Sequence, residues 1–231
     1  MKNLLKKIIN KIIRGSVIDT ILNEGPVKNL IEDVEKLKDS SNLFNRIDQN
    51  ISVKAKLYTP FAISESNIDD YTYIAQNSKI SLSRIGKFCS IGPNFLCGYG
   101  IHPINGISTA PMFYSTMKQN GTTLSDTNKI EERKPIIIGN DVFIGMNVTV
   151  MDGVTIGDGA VIGAGAVVSK DIPPYAVAVG NPIQIIKYRF TPEQISKLLA
   201  IKWWNFTDEK LKDIENSFFD IDGFINKYYN A

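Results

Sequence analysis

Between Ile136 and Val168 the chain repeats every six residues, and nothing else in it restricts the possible folds as strongly. Ile138, Ile144, Val150, Ile156, Ile162 and Val168 mark one register. Two residues before each stand Ile136, Val142, Val148, Val154, Ala160 and Ala166, all aliphatic. One residue after come Gly139, Gly145, Met151, Gly157, Gly163 and Ser169, mostly glycine. Neither a helix nor a hairpin sheet has this period; it is a hexapeptide repeat, a signature of the parallel β-helix. Residues two apart on a strand share a face, so each short strand points two aliphatic side chains inward. The following glycine is expected to turn the corner at positive φ. Asn140, Asp141, Asn147, Asp152 and Asp158 crowd the same corner and tolerate that conformation. Three strands and three corners make a triangular coil of about 18 residues, stacked about 4.8 Å above the last.

Upstream, residues 51–97 carry a looser version. Ile68, Ile74 and Ile80 keep the step of six, Ile85 comes one residue early, and Ile91 and Cys97 resume it. The short step predicts a tightened corner or a small bulge. From Gly98 to Pro135 the register is lost, and it returns undiminished at Ile136. An aperiodic insertion this long in a compact domain is usually functional. It contains the chain's single histidine, His102, in Ile101-His102-Pro103. The solenoid is expected to end near Lys170-Asp171-Ile172-Pro173-Pro174, with a last turn and strand through Val177 and Gly180-Asn181-Pro182.

Helices flank the repeat. In residues 1–14, Leu4, Leu5, Ile8, Ile9, Ile12 and Ile13 share one face against a lysine-rich remainder. Such a helix docks on protein or lies on an anionic membrane. Lysines interrupt its apolar face and no cleavage site follows, so it does not read as a secretory signal. A second helix is expected from about Pro26 to Lys38. Beyond the repeat, Thr191 reads as an N-cap, with Pro192 at the first position and Glu193 in the first turn. Ile195, Leu198, Leu199 and Trp203 form its apolar face, and another helix is expected from about Asp208 to Tyr229. The division is thus a helical extension (1–50), a solenoid domain (51–190) with its loop at 98–135, and C-terminal helices (191–231). These last are expected to cap the prism or reach a neighbouring subunit, since a solenoid end exposes an unpaired coil.

Charge and cysteine content narrow the function. With 26 basic and 24 acidic residues, net +2, there is no electrostatic footprint for nucleic acid. The two cysteines, Cys89 and Cys97, give no disulfide framework and read as small buried residues. No apolar stretch reaches the length of a membrane span.

The segments Ile85-Gly86-Lys87-Phe88-Cys89-Ser90-Ile91-Gly92-Pro93-Asn94, His102-Pro103, Ile138 to Gly145, Gly163 to Tyr175 and Gly180-Asn181-Pro182 together resemble the hexapeptide-repeat acyltransferases. The group they resemble most is the xenobiotic (chloramphenicol and streptogramin) acetyltransferases. The resemblance covers residues 55–205 and implies an all-β solenoid, a left-handed parallel β-helix with an excursion loop. It further implies a homotrimer with sites between subunits and acetyl-CoA as donor, whose thioester is already activated, so that no metal is required. By position, His102 matches the catalytic histidine. Met146 matches a backbone contact near the thioester, and Ala164 one further along the pantetheine. Lys170 and Lys187 match basic residues near the CoA phosphates. Two positions depart from the pattern: Phe143 stands where the family usually has Trp, and Gln184 where a basic residue is common.

Acetyl transfer to a hydroxyl or amine needs a base for the acceptor proton, and a neutral imidazole suits that at physiological pH. The oxyanion needs a donor such as the Met146 amide. The partner that orients His102 stays open among Asp126, Glu131, Glu132 and a backbone carbonyl. Tyr99, Phe113 and Tyr114 either wall an acceptor pocket or fasten the loop to a neighbouring prism. The expected function is therefore acetyl-CoA-dependent acetylation of a small-molecule or saccharide acceptor. The basic N-terminus favours work on surface polysaccharide in the cytoplasm, with peripheral membrane contact through residues 1–14. Antibiotic O-acetylation and nucleotide-sugar N-acetylation are the alternatives within the class. A hexapeptide-repeat carbonic anhydrase needs three zinc-binding histidines and is excluded by a chain with one. A non-enzymatic β-helix scaffold leaves the His-Pro loop and the Lys170 segment without a role.

Overall fold

The computed structural model describes residues 50–229. The helices expected at 1–14 and 26–38, and the membrane contact assigned to the first of them, lie outside the described residues. What is described is a parallel β-solenoid with three faces followed by short helices. One face is a seven-stranded sheet of β1 (Lys56–Leu57), β4 (Tyr73–Ile74), β7 (Ser90–Ile91), β10 (Phe143–Ile144), β13 (Val161–Ile162), β15 (Ala176–Val179) and β16 (Gln184–Tyr188). The next has five strands: β2 (Phe61–Ser64), β5 (Ser78–Ser81), β8 (Leu96–Cys97), β11 (Thr149–Val150) and β14 (Val167–Val168). The third has four: β3 (Asn67–Ile68), β6 (Ser83–Ile85), β9 (Ile136–Ile138) and β12 (Thr155–Ile156). Within each coil the chain visits the seven-, five- and four-stranded faces in that order. All ladders are parallel except the last, where β16 turns back antiparallel on β15.

The core is the predicted one. Every residue of the two inward registers from Ile136 to Val168 is buried. In the first coils the inward slot two residues before the isoleucine holds Ser66, Thr72, Ser78 and Ser83, which are buried as well. Their hydroxyls bond within the wall, Thr72 Oγ1 donating to the Gly86 carbonyl at 2.6 Å and Ser78 Oγ to Ala75 at 2.8 Å. A buried hydroxyl with a partner is tolerated where an orphaned one is not. These polar slots are why the upstream repeat reads as loose.

The corners differ from expectation. Gly139, Gly145, Gly157 and Gly163 do not take positive φ. They are needed because adjacent coils approach too closely for a side chain: a Cβ on Gly145 would stand 2.6 Å from the Ala164 nitrogen, and one on Gly157 2.5 Å from the Pro174 nitrogen. From Ile138 to Ile162 the left-handed turn falls three residues after each isoleucine or valine of that register, at Asp141 (φ 54°), Asn147 (φ 57°) and Gly153 (φ 82°) among others. The early Ile85 reflects a corner turned by one residue, Leu82 (φ 50°), with Glu65 (φ 49°) doing the same one coil before.

The three edges have different occupants. The edge leading from the four- to the seven-stranded face presents Tyr71, Phe88 and Tyr175, each with positive φ. Tyr71 stacks on Phe88, ring centres 5.0 Å apart, and Phe88 meets Trp203 at 5.1 Å. Along this edge lie α1 (Pro192–Ile201), α2 (Lys212–Asn216) and α3 (Ile221–Tyr229). Thr191 caps α1 in a full capping box with Gln194, and Pro192 opens the helix. Where one helix was expected from Asp208 to Tyr229, the chain breaks after Ser217, and the Asp220 carboxylate restarts it by accepting the Gly223 N–H at 2.9 Å. Lys54 and the Tyr71 hydroxyl both bond Asp208, and Arg189 pairs with Asp141 at 2.9 Å. The helices therefore cover a flank of the prism. None of the described helices is long and apolar enough to cross a membrane.

Candidate active site

The excursion loop leaves from the edge between the five- and four-stranded faces. This is the edge that the two preceding coils turn with a single residue. Gly98 (φ 84°) begins it, and a Cβ there would meet the Ser81 carbonyl at 2.7 Å. The loop is closed at its stem by Asp152, whose side chain is only 3% exposed. One carboxylate oxygen accepts the Gly100 N–H at 3.0 Å on the outgoing strand. The other accepts Arg133 Nε at 3.3 Å and the Lys134 N–H at 3.2 Å on the returning strand. Arg133 also reaches Ser81 Oγ at 2.7 Å. Neither Asp152 nor Arg133 stood out in the sequence as a site residue, because each acts through contacts made only when the coils stack.

His102 sits two residues beyond this clamp and is exposed. Its Nδ1 lies 3.0 Å from the Thr109 carbonyl and 2.8 Å from the Tyr114 hydroxyl. A carbonyl can only accept, so Nδ1 carries a proton, and in the neutral ring Nε2 then holds the lone pair. None of the three loop carboxylates bonds the ring: Glu132 accepts from Gln119 at 2.7 Å and Glu131 pairs with Lys134 at 3.8 Å. Tyr114 is 5% exposed and packs edge-on against His102, while Tyr99 and Phe113 remain exposed. Burial pushes the Tyr114 phenol up, and the Glu132 charge adds to this, so the group is a neutral hydroxyl.

Met146 and Ala164 lie on a different edge, between the seven- and five-stranded faces, on successive coils. The Met146 carbonyl accepts the Gly165 N–H at 2.9 Å. The N–H groups of Met146 and Ala164 find no acceptor among the described residues. Both residues are exposed at the corner, so these two amides form a short ladder of free donors. Lys170 is exposed on the loop's edge, one coil beyond the clamp, and Lys187 is exposed on β16 opposite Val177. Neither lysine makes an ion pair among the described residues. One chain thus brings His102 and Lys170 to one edge, Met146 and Ala164 to another, and Lys187 to a face. The thiols of Cys89 and Cys97 are buried and pushed up to about 12 by desolvation, which removes them as nucleophiles. A cavity of about 370 Å³ lies on the third edge, between the helices and the prism, and contains none of these residues.

The family profile described as "Bacterial transferase hexapeptide (six repeats)" matches residues 135–170. A chloramphenicol acetyltransferase of Klebsiella aerogenes is 44% identical over 131 residues, 55% of this chain and 61% of that protein. One of Agrobacterium fabrum is 37% identical over 162 residues, 69% of this chain and 77% of the relative. A probable macrolide acetyltransferase of Lysinibacillus sphaericus is 40% identical over 151 residues, covering 62% of this chain and 82% of its own length. The chain belongs to the hexapeptide-repeat acetyltransferases. It spans about three fifths of the Klebsiella aerogenes relative's length. Membership in the hexapeptide-repeat acetyltransferases also fixes the hand of the solenoid as left-handed. The period alone leaves that open, and it runs against the usual right-handed crossover.

Proposed function

We propose that the protein is an acetyl-CoA-dependent acetyltransferase that acts on a hydroxyl of a small-molecule acceptor without anionic groups, with His102 as general base. The observation that carries this reading is the setting of the chain's sole imidazole. It stands at the head of a clamped loop, with Nδ1 held by a carbonyl and Nε2 without a hydrogen-bond partner among the described residues. The unpaired amide N–H groups of Met146 and Ala164 are a fitting surface for a pantetheine arm, whose amide carbonyls accept from such donors. Acetyl-CoA supplies an activated thioester, so neither a metal nor a covalent enzyme intermediate is required. His102 Nε2 takes the acceptor's hydroxyl proton as its oxygen attacks the thioester carbonyl, then returns the proton to the departing sulfur. The Met146 N–H stabilises the oxygen on which charge develops. Lys170 and Lys187 supply positive charge toward the phosphates.

The acceptor class follows from the loop. From Tyr99 to Met117 it carries no Asp, Glu, Lys or Arg. Ile104 and Ile107 are fully exposed and Phe113 partly so. A diphosphate or a polyanionic glycan is recognised by cations, and this first half of the loop, around His102, offers apolar contact instead, the loop's cations beginning at Lys118. The chloramphenicol and macrolide names of the relatives agree with an acceptor that lacks phosphate and carboxylate groups.

Free-thiol release from acetyl-CoA, measured with chloramphenicol, a macrolide, a nucleotide sugar and an acidic oligosaccharide, tests the whole reading. Turnover is expected with chloramphenicol or the macrolide and not with the last two. His102→Ala should lower turnover by about 10²–10⁴ and leave acetyl-CoA affinity, by calorimetry, within a few-fold. A variant keeping more than about a third of wild-type turnover would remove His102 from the role. A wild-type chain that binds no acetyl-CoA would restore the scaffold reading.

A further inference from the structure

We propose that Tyr114 is a positioning residue for His102, acting as a second hydrogen-bond acceptor that holds the imidazole in one plane and one tautomer. The proposal deepens the acetyltransferase reading and rests on it for its kinetic arm only.

Nδ1 has two oxygens within reach, Thr109 carbonyl at 3.0 Å and Tyr114 Oη at 2.8 Å. The carbonyl has no proton to give, so the Nδ1–H is shared between both oxygens in a three-centre bond. One acceptor leaves a ring free to swing about that contact; two on different backbone segments fix the direction of Nε2. Tyr114 is suited to this because it is itself immobile. Its N–H is held by the Pro111 carbonyl at 3.0 Å at the end of a one-turn helix, Pro111–Phe113. Its carbonyl accepts the Lys129 N–H at 2.8 Å, which ties the outgoing limb of the loop to the returning one. The neighbouring Ser115 is fully buried. The exposed histidine thus leans on a buried, doubly anchored phenol.

The same contact gains weight when the ring is charged. A proton taken on Nε2 makes the imidazolium, and a hydrogen bond from a charged donor is roughly twice as strong as a neutral one. Glu132 is close enough to add negative potential at the phenol, and one of its carboxylate oxygens is buried without a hydrogen-bond partner.

The chain has one histidine, so ¹⁵N-histidine labelling of the full-length protein without a histidine tag gives a single imidazole spectrum. In wild type it should show the proton on Nδ1, with a slowly exchanging Nδ1–H resonance. Tyr114→Phe should broaden or lose that resonance while circular dichroism stays unchanged. Turnover should fall about tenfold, the rate equivalent of one hydrogen bond to a charged group, with KM for acetyl-CoA within about twofold. In a His102→Ala background Tyr114→Phe should have no further effect, because it acts only through the ring. A wild-type proton on Nε2 would mean that the phenol donates to Nδ1 and would overturn the proposal. So would an unchanged Nδ1–H resonance in Tyr114→Phe, or an equal loss of rate in both backgrounds. The spectra need no substrate, so a chain that failed to use acetyl-CoA would still decide the role of Tyr114.

Discussion

At the scale of single residues, two kinds of glycine share the solenoid's corners and do different things. Gly145 has an ordinary φ but no room, since a Cβ would sit 2.6 Å from the Ala164 nitrogen. Gly165 has φ +72° and open space around it. Gly145→Ala should therefore destabilise by about 1–3 kcal/mol through overpacking between coils, read as a fall of several degrees in Tm. Gly165→Asn should cost less than about 1 kcal/mol, because Asn visits the left-handed region routinely. Equal melting temperatures for the two variants would refute the close-approach account. The sequence shows glycine after most of the aliphatic pairs and Asp, Asn or Gly two residues further on, but not which of the two positions turns the chain. A period reveals that a position is constrained, whereas whether torsion or contact constrains it depends on how far apart the coils lie. The inward aliphatics were legible for the opposite reason: burial selects side-chain type directly. Ser66, Thr72, Ser78 and Ser83 were not, because their hydroxyls find partners only in the folded wall.

At the scale of elements, the loop is the one part without a repeat, and its existence was legible only as the repeat's interruption. Its internal order comes from pairings between segments far apart in sequence, such as Asp152 with Gly100 and Arg133. Composition does not encode these. Asp152→Ala would leave three donors at the stem without their acceptor, each loss costing about 1–3 kcal/mol when buried and less where solvent can replace it. The loop should then open more often, and trypsin should cut sooner at Lys118 or Lys129. Turnover should drop by about tenfold or more as His102 loses its fixed place. Acetyl-CoA affinity should change little, since the free amides of Met146 and Ala164 are on another edge. If cleavage and turnover both matched wild type, the stem would not depend on Asp152. The C-terminal helix was legible through Thr191-Pro192, a local capping signal. The break at Ser217 was not, because the apolar pattern runs on through Phe218 and Phe219.

At the scale of the whole molecule, the separation of the site residues becomes the main evidence for assembly. One prism places the proposed base, His102, on one edge and the proposed pantetheine amides of Met146 and Ala164 on another, and a rigid solenoid cannot fold one edge onto the next. A closed ring of identical prisms can, because each subunit then sets the loop edge of its own coils against the amide edge of a neighbour. Three copies are what the resemblance implied, and light scattering should then give about three times the 25.7 kDa chain mass. A sharper test mixes two inactive proteins. His102→Ala keeps the amide ladder but lacks the base. Ala164→Trp keeps the base and blocks the ladder with a bulky side chain at an exposed corner. Unfolded together in equal amounts and refolded, the two chains assemble at random, and about one interface in four pairs an intact base with an intact ladder. Activity should therefore return to about a quarter of the wild-type value in the mixture, while each variant alone stays inactive. If the mixture stays as inactive as its parts and light scattering shows mixed trimers, both halves of the site belong to one chain, and the ladder at Met146 and Ala164 is not where acetyl-CoA binds.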